Sequence, residues 1–185
     1  DVFATVPDPP QIVLSGISAG AYGTILAAAL ARSVWPDVPI DVVADGGIGL
    51  GQPGIEGFIT GILGEWNILS LIPSSCEDCF INGHATELIS WALEHDPTLR
   101  YAGISSLEDT VISTMFLGIG GPAYRSEVRA ITGDLAWDHP DQYARFIYAG
   151  SRHTTLAISA STDLGDAGTL PFDVGGSDTI AGSLD

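Results

Sequence analysis

The chain of 185 residues is expected to fold as one α/β domain around a mostly parallel sheet, and three features predict this. Short apolar runs recur along it: Gln11 to Ser15 around Ile12, Val13 and Leu14, then Ile40 to Ala44, Arg100 to Ser105, and Phe146-Ile147-Tyr148. Stretches of helical composition separate these runs, the pattern of parallel strands joined by right-handed crossovers. Each run also closes on a polar or glycine-bearing turn, and in parallel sheets function gathers at the carboxyl ends of the strands.

Pro7, Pro9 and Pro10 keep the entry segment irregular up to the first strand. After Gly16-Ile17-Ser18-Ala19-Gly20 the chain turns Ala- and Leu-rich, which predicts a helix from Ala19 to about Arg32–Pro36. The second strand, 40–44, ends at Asp45-Gly46-Gly47. Ile55 to Leu71 reads as one or two short helices over the carboxyl edge of the sheet. Pro73 to Asn82 is a loop, and Ala85 to Glu94 is a helix with Leu88, Ile89, Ala92 and Leu93 on one face. The third strand, weakened by Gly103, leads to Asp109 and a helix over 110–117. A second helix is expected over 124–131, a short one after His139-Pro140, and the fourth strand then leads to His153. The Gly-, Ser-, Thr- and Asp-rich tail, 159–185, is expected to be mostly loop.

Composition excludes several classes. With 23 acidic residues against six arginines and no lysine, the net charge is −17, which repels nucleic acid and anionic membranes alike. No apolar run reaches the length of a membrane span. The acidity fits a saline setting or an acidic secreted enzyme. Cys76 and Cys79 stand as C-E-D-C. One pair is half a zinc site, and two acids between the thiols disfavour a redox thiolate, so a local disulfide in an exported (extracellular or periplasmic) protein is expected.

The chemistry lies in the turns. G-x-S-x-G between a strand and a helix is a nucleophile elbow, which holds a serine in strained backbone geometry at a helix N-terminus. The flanking glycines avoid clashes across the turn. Ser18 is thus the candidate nucleophile, and the Ala19 N–H is a candidate oxyanion donor. A serine nucleophile needs an imidazole to take its proton and an acid to orient that imidazole. His153, just past a strand, is the candidate base; His84, His95 and His139 are expected in surface or capping roles. For the acid, Asp109 and Asp45 compete. Asp45 can instead bind amides of its own Asp-Gly-Gly turn, and Asp109 can simply cap a helix. The later strand is the usual home of the acid, so Asp109 is preferred. The order Ser, Asp, His is that of the α/β-hydrolase three-layer sandwich.

Leu14 to Gly23 resembles the nucleophile region of the pectin acetylesterase and Notum-type carboxylesterases, with Tyr22 where that family carries glycine. Val42 to Gly47 is similar to the family's Asp-Ser-Gly turn, Ser105 to Ile112 to its acid-bearing loop, and Arg152-His153-Thr154 to its histidine loop. The ordered trio at the strand ends predicts a serine carboxylic-ester hydrolase acting through an acyl-enzyme, without metal or cofactor; the resemblance implies acetylated polysaccharide as substrate, and Trp66 with its apolar neighbours suggests other bulky or polymeric esters. Trp66 is a candidate substrate-binding residue, with core packing as its competing role. A non-catalytic binding module on the same scaffold, and an acyltransferase or lyase with the same triad, are the alternatives. The second oxyanion donor normally lies in strands ahead of the elbow, and only seventeen residues precede Ser18. The chain is therefore expected to be the C-terminal part of a longer enzyme, whose N-terminal strands either sit in a second polypeptide, the expected partner, or are not included in this sequence.

Overall fold

In the computed structural model the described residues are 5–76 and 78–156, together with the backbone of 171–173 and 179–181. Four strands, β1 (Ile12–Ile17), β2 (Ile40–Asp45), β3 (Leu99–Ser106) and β4 (Tyr143–Tyr148), form one parallel sheet in the order β1-β2-β3-β4. Ile12 lies beside Ile40, Ile40 beside Leu99, and Tyr101 beside Tyr143. This register brings Ile17, Asp45 and Ile104 level at the carboxyl ends. The helices are α1 (Ala19–Val34), α2 (Gly57–Glu65), α3 (Thr86–His95) and α4 (Gly121–Asp138). A 3₁₀ turn, Leu69–Leu71, follows α2, and Val111–Phe116 winds as a wide π-helical segment.

Apart from the short helix expected after His139-Pro140, the expected strands and helices appear, with shifted ends. The first strand runs two residues further, through Gly16 and Ile17, directly into the serine. The last helix spans Gly121–Asp138 instead of 124–131. Pro122 is tolerated in the first turn, where its missing N–H has no partner to lose, and Thr132 and Gly133 do not stop the helix. No helix follows Pro140: the His139 carbonyl accepts from the amides of Gln142 and Tyr143, closing a tight turn, and the strand begins at once. Within the tail, strands 171–173 (β5) and 179–181 (β6) pair antiparallel. The rest of the tail lies outside the described residues.

The expected three layers are two among the described residues. With strands in sequential order, right-handed crossovers would put the connecting helices on one face of the sheet. Burial follows that geometry: Ile40, Val42 and Ala44 are buried, while Asp41 and Val43 on the opposite side are only partly covered. The core is built from Ile25 and Leu26 of α1, Ile89 and Leu93 of α3, Tyr124 and Val128 of α4, and the inward side chains of the strands. At the open edge, Val13 of β1 is 63% exposed. No helix among the described residues is long and apolar enough to cross a membrane.

Cys76 and Cys79 are at disulfide distance, with Cα atoms 5.3 Å apart and both side chains buried. That spacing is ordinary for a disulfide.

Candidate active site

Ser18 joins β1 to α1 with φ 57° and ψ −123°, a conformation that non-glycine residues rarely adopt. Only two non-glycine residues among those described have positive φ, and the other is Asn67. The turn is held by the Ser18 amide, which donates to the Asp45 carbonyl at 2.8 Å. A Cβ at Gly16 would run into the Gly20 carbonyl, so this glycine is sterically required. Gly20 differs from expectation: a Cβ there meets nothing. The second required glycine is Gly47, whose Cβ would overlap the Ser18 carbonyl. It closes the turn from the neighbouring strand. Ala19 opens α1, and its amide is among the first-turn donors that have no acceptor within the helix.

Asp109 and His153 meet. The His153 Nδ1–H donates to Asp109 Oδ2 at 2.8 Å, and Asp109 is fully buried. The other carboxylate oxygen, Oδ1, accepts from the Ile112 amide at 3.0 Å. Asp109 thus bonds through each of its oxygens, one to the imidazole of His153 and one to the backbone of the segment that follows it. Burial pushes its carboxyl up from the ordinary value, against the pull of the His153 and Ile112 hydrogen bonds. His153 Nε2 is buried and has no hydrogen-bond partner among the described residues. No hydrogen bond joins it to Ser18, a link that in unliganded enzymes often tightens only when substrate binds.

The histidine loop is fastened on both sides of His153. Upstream, the Arg152 carbonyl accepts from Ser106 Oγ at 2.6 Å and Tyr148 Oη at 3.1 Å. Downstream, Asp45 Oδ2 accepts from the amides of Thr155 and Leu156, each at 2.6 Å. Asp45 thus does not serve its own turn, as the sequence suggested, and neither of its oxygens is bonded to the imidazole.

Trp66 lies at the site. A cavity of about 130 Å³ is lined by Ser18, Ala19, Tyr22, Trp66, Val111, Ile112 and Phe116. Phe116 stands edge-to-face with both Tyr22 and Phe58, at 5.5 and 5.6 Å between ring centres. Tyr22 is fixed from behind by its hydroxyl, which donates to the Leu50 carbonyl. Val111, Ile112 and Phe116 are cavity residues that sequence reading did not single out as such. Their approach depends on how the π-helical segment after Asp109 packs.

The other histidines stand apart from this site. His84 and His139, expected in surface or capping roles, are both buried, and His139 is the C-cap residue of α4. His84 Nδ1 accepts from the Gly51 amide at 2.9 Å, and His139 Nε2 pairs with Ser90 Oγ at 2.8 Å. His95 is exposed and stacks on Trp91.

No protein-family model matches the sequence, and no curated protein matches it.

Proposed function

We propose that the chain is a serine carboxylic-ester hydrolase of the α/β-hydrolase type, related to the pectin acetylesterase and Notum-type enzymes. The observation that carries this is the buried Asp109–His153 hydrogen bond at the same sheet edge as a serine in strained backbone geometry. Ser18 Oγ attacks the ester carbonyl while His153 Nε2 takes its proton. Asp109 holds the imidazole in the required tautomer and stabilises its cation. The Ala19 N–H donates to the oxyanion. Collapse breaks the bond to the alkoxide, which leaves with the proton from His153. Water, deprotonated by the same imidazole, then frees the acid and restores Ser18. The cavity beside Ser18, apolar on most of its walls and bordered by Trp66, suits the acyl group. None of these steps calls for a metal or cofactor.

A buried cysteine pair at disulfide distance supports an oxidising, extracellular or periplasmic setting. The uncovered β1 edge supports a partner. Val13 and Ile17 of β1, and Leu30 and Val34 of α1, are exposed apolar side chains, and among the described residues no strand pairs with the outer edge of β1. A further strand on that edge, from a second polypeptide, would pair with the outer edge of β1 and bring the second oxyanion donor.

The test is labelling by a fluorophosphonate together with turnover of p-nitrophenyl esters. Labelling and turnover that both vanish in Ser18→Ala support the proposal. Wild-type turnover in that variant refutes it. An unlabelled Ser18 points to the binding-module alternative, for which the missing Ser18–His153 hydrogen bond speaks. Product analysis with an added alcohol separates hydrolysis from acyl transfer. Native mass spectrometry of active material tests the partner: a lone 19.2 kDa species with full activity removes it.

A further inference from the structure

We propose that Asp45 is a positioning residue that registers the histidine loop against the serine elbow. This rests on the hydrolase reading of Ser18, Asp109 and His153. Asp45 touches both halves of the candidate machinery. Its backbone carbonyl accepts the Ser18 amide at 2.8 Å, at the strained residue itself. Its Oδ2 accepts the amides of Thr155 and Leu156 at 2.6 Å each, and the Thr155 hydroxyl at 3.2 Å. These segments are more than a hundred residues apart in sequence, and Asp45 is bonded to each.

Three features make this more than a loop anchor. First, Asp45 is fully buried, Oδ2 collects three donors, and Oδ1 has no partner among the described residues. A buried carboxylate so arranged is costly unless its charge is used, and amides aimed at a charged oxygen form the stronger class of hydrogen bond. Second, the next residue shapes the seat. Gly46 has φ +67°, and a Cβ there would overlap the His153 carbonyl and press within 3.2 Å of its Cε1. The Asp45-Gly46 pair thus receives the loop closely, with the imidazole against it. Third, the loop is pinned at Arg152 by Ser106 and Tyr148 and at 155–156 by Asp45, so His153 sits between two clamps. Releasing the downstream clamp frees the imidazole to move relative to Ser18 and loosens its hydrogen bond to Asp109. Misplacement by about 1 Å is enough to cost on the order of a hundredfold in rate.

The experiment has two arms. In the wild-type protein, hydrogen exchange read by NMR should find the Thr155 and Leu156 amides protected, although they lie outside any helix or strand. Fast exchange at both overturns the proposal, and this arm needs neither activity nor a variant. In the second arm, Asp45→Ala should lower kcat by about a hundredfold with KM within about threefold, and should broaden or abolish the downfield His153 Nδ1–H resonance. Asp45→Asn keeps an acceptor oxygen and should recover kcat to within about tenfold of wild type, with the resonance restored. A folded Asp45→Ala enzyme with wild-type kcat, or one altered only in Tm, overturns the proposal. Failure of the hydrolase reading looks different: wild-type protein left unlabelled by fluorophosphonate, with the two amides still protected.

Discussion

The His153 imidazole donates to a carboxylate that has no exposure to solvent: Asp109 Oδ2 lies 2.8 Å from Nδ1 while burial holds the Asp109 pKa above its ordinary value. An acid whose folded-state pKa is raised binds its proton more tightly in the native state than in the unfolded chain. Its ionisation therefore weakens the fold. The penalty is absent below the ordinary carboxylate pKa and complete above the folded-state one. Asp109→Asn removes the charge and should raise Tm at neutral pH, with the gain closing as pH falls into the carboxylate range. The same change should lower kcat by about 10⁴-fold, because the amide holds the imidazole in the wrong tautomer. Thermal unfolding at two pH values with ester turnover checks both halves; a lower neutral-pH Tm defeats the first.

Ser18 stores backbone strain, at φ 57°. Glycine adopts that region freely, and a non-glycine residue there costs on the order of 1–3 kcal/mol. Ser18→Ala and Ser18→Gly should both lose activity by about a thousandfold or more. They should differ in stability, with Ser18→Gly the more stable by about 1 kcal/mol once the entropy of glycine is counted. Chemical denaturation compares the two directly, and equal midpoints would mean that the turn is unstrained.

Local signals explain what the sequence made legible. The elbow announces itself because strand, Gly-x-Ser-x-Gly and Ala-rich helix are contiguous, and the turn bears this out down to the Gly16 contact. Asp109 and His153 were readable as strand-end residues in the right order. The tasks of Asp45 were not, because its partners Thr155 and Leu156 are set by tertiary approach. The same holds for His84: nothing near it in sequence signals that Gly51 will supply a buried donor. The local pattern supports this helix only to Ile131, whereas α4 continues through Thr132 and Gly133 to Asp138. In the fold, Thr132 returns its hydroxyl to the Val128 carbonyl, and Gly133 leaves room for Arg145. Sheet order could not be read from local pattern, and it decides how many layers the helices make.

Trp66 borders the cavity beside Ser18 yet is 39% exposed. Its removal should cost little stability and mainly affect substrates that reach it. Trp66→Ala is expected to lower kcat/KM about fivefold to thirtyfold for butyrate and longer esters, about one or two kcal/mol for the apolar area lost, while acetate esters change little. A chain-length series of p-nitrophenyl esters tests this. An identical profile in both enzymes takes Trp66 out of the site.

His84 supplies an acid-sensitive joint behind the cavity. Its Nδ1 accepts from the Gly51 amide, so the neutral ring carries its proton on Nε2, which faces Glu127 at 3.7 Å. Glu87, Asp134 and Asp138 line the same cleft. Burial lowers the His84 pKa, and the Glu127 carboxylate only partly reverses this. A histidine with a lowered folded-state pKa contributes stability that is fully present above the ordinary value of about 6.5. That contribution is lost as pH falls toward the folded-state value, because the unfolded chain takes up a proton that the native state refuses. Once it does protonate, Nδ1–H opposes Gly51 N–H, and the neighbouring Leu50 carbonyl is the one that holds Tyr22 at the cavity wall. Tm should therefore drop on acidification from about pH 7 to pH 5, and His84→Gln, which keeps an acceptor but cannot titrate, should flatten that slope. Acid inactivation should be delayed in the same variant. If wild type and His84→Gln lose stability in parallel across that interval, the joint lies elsewhere.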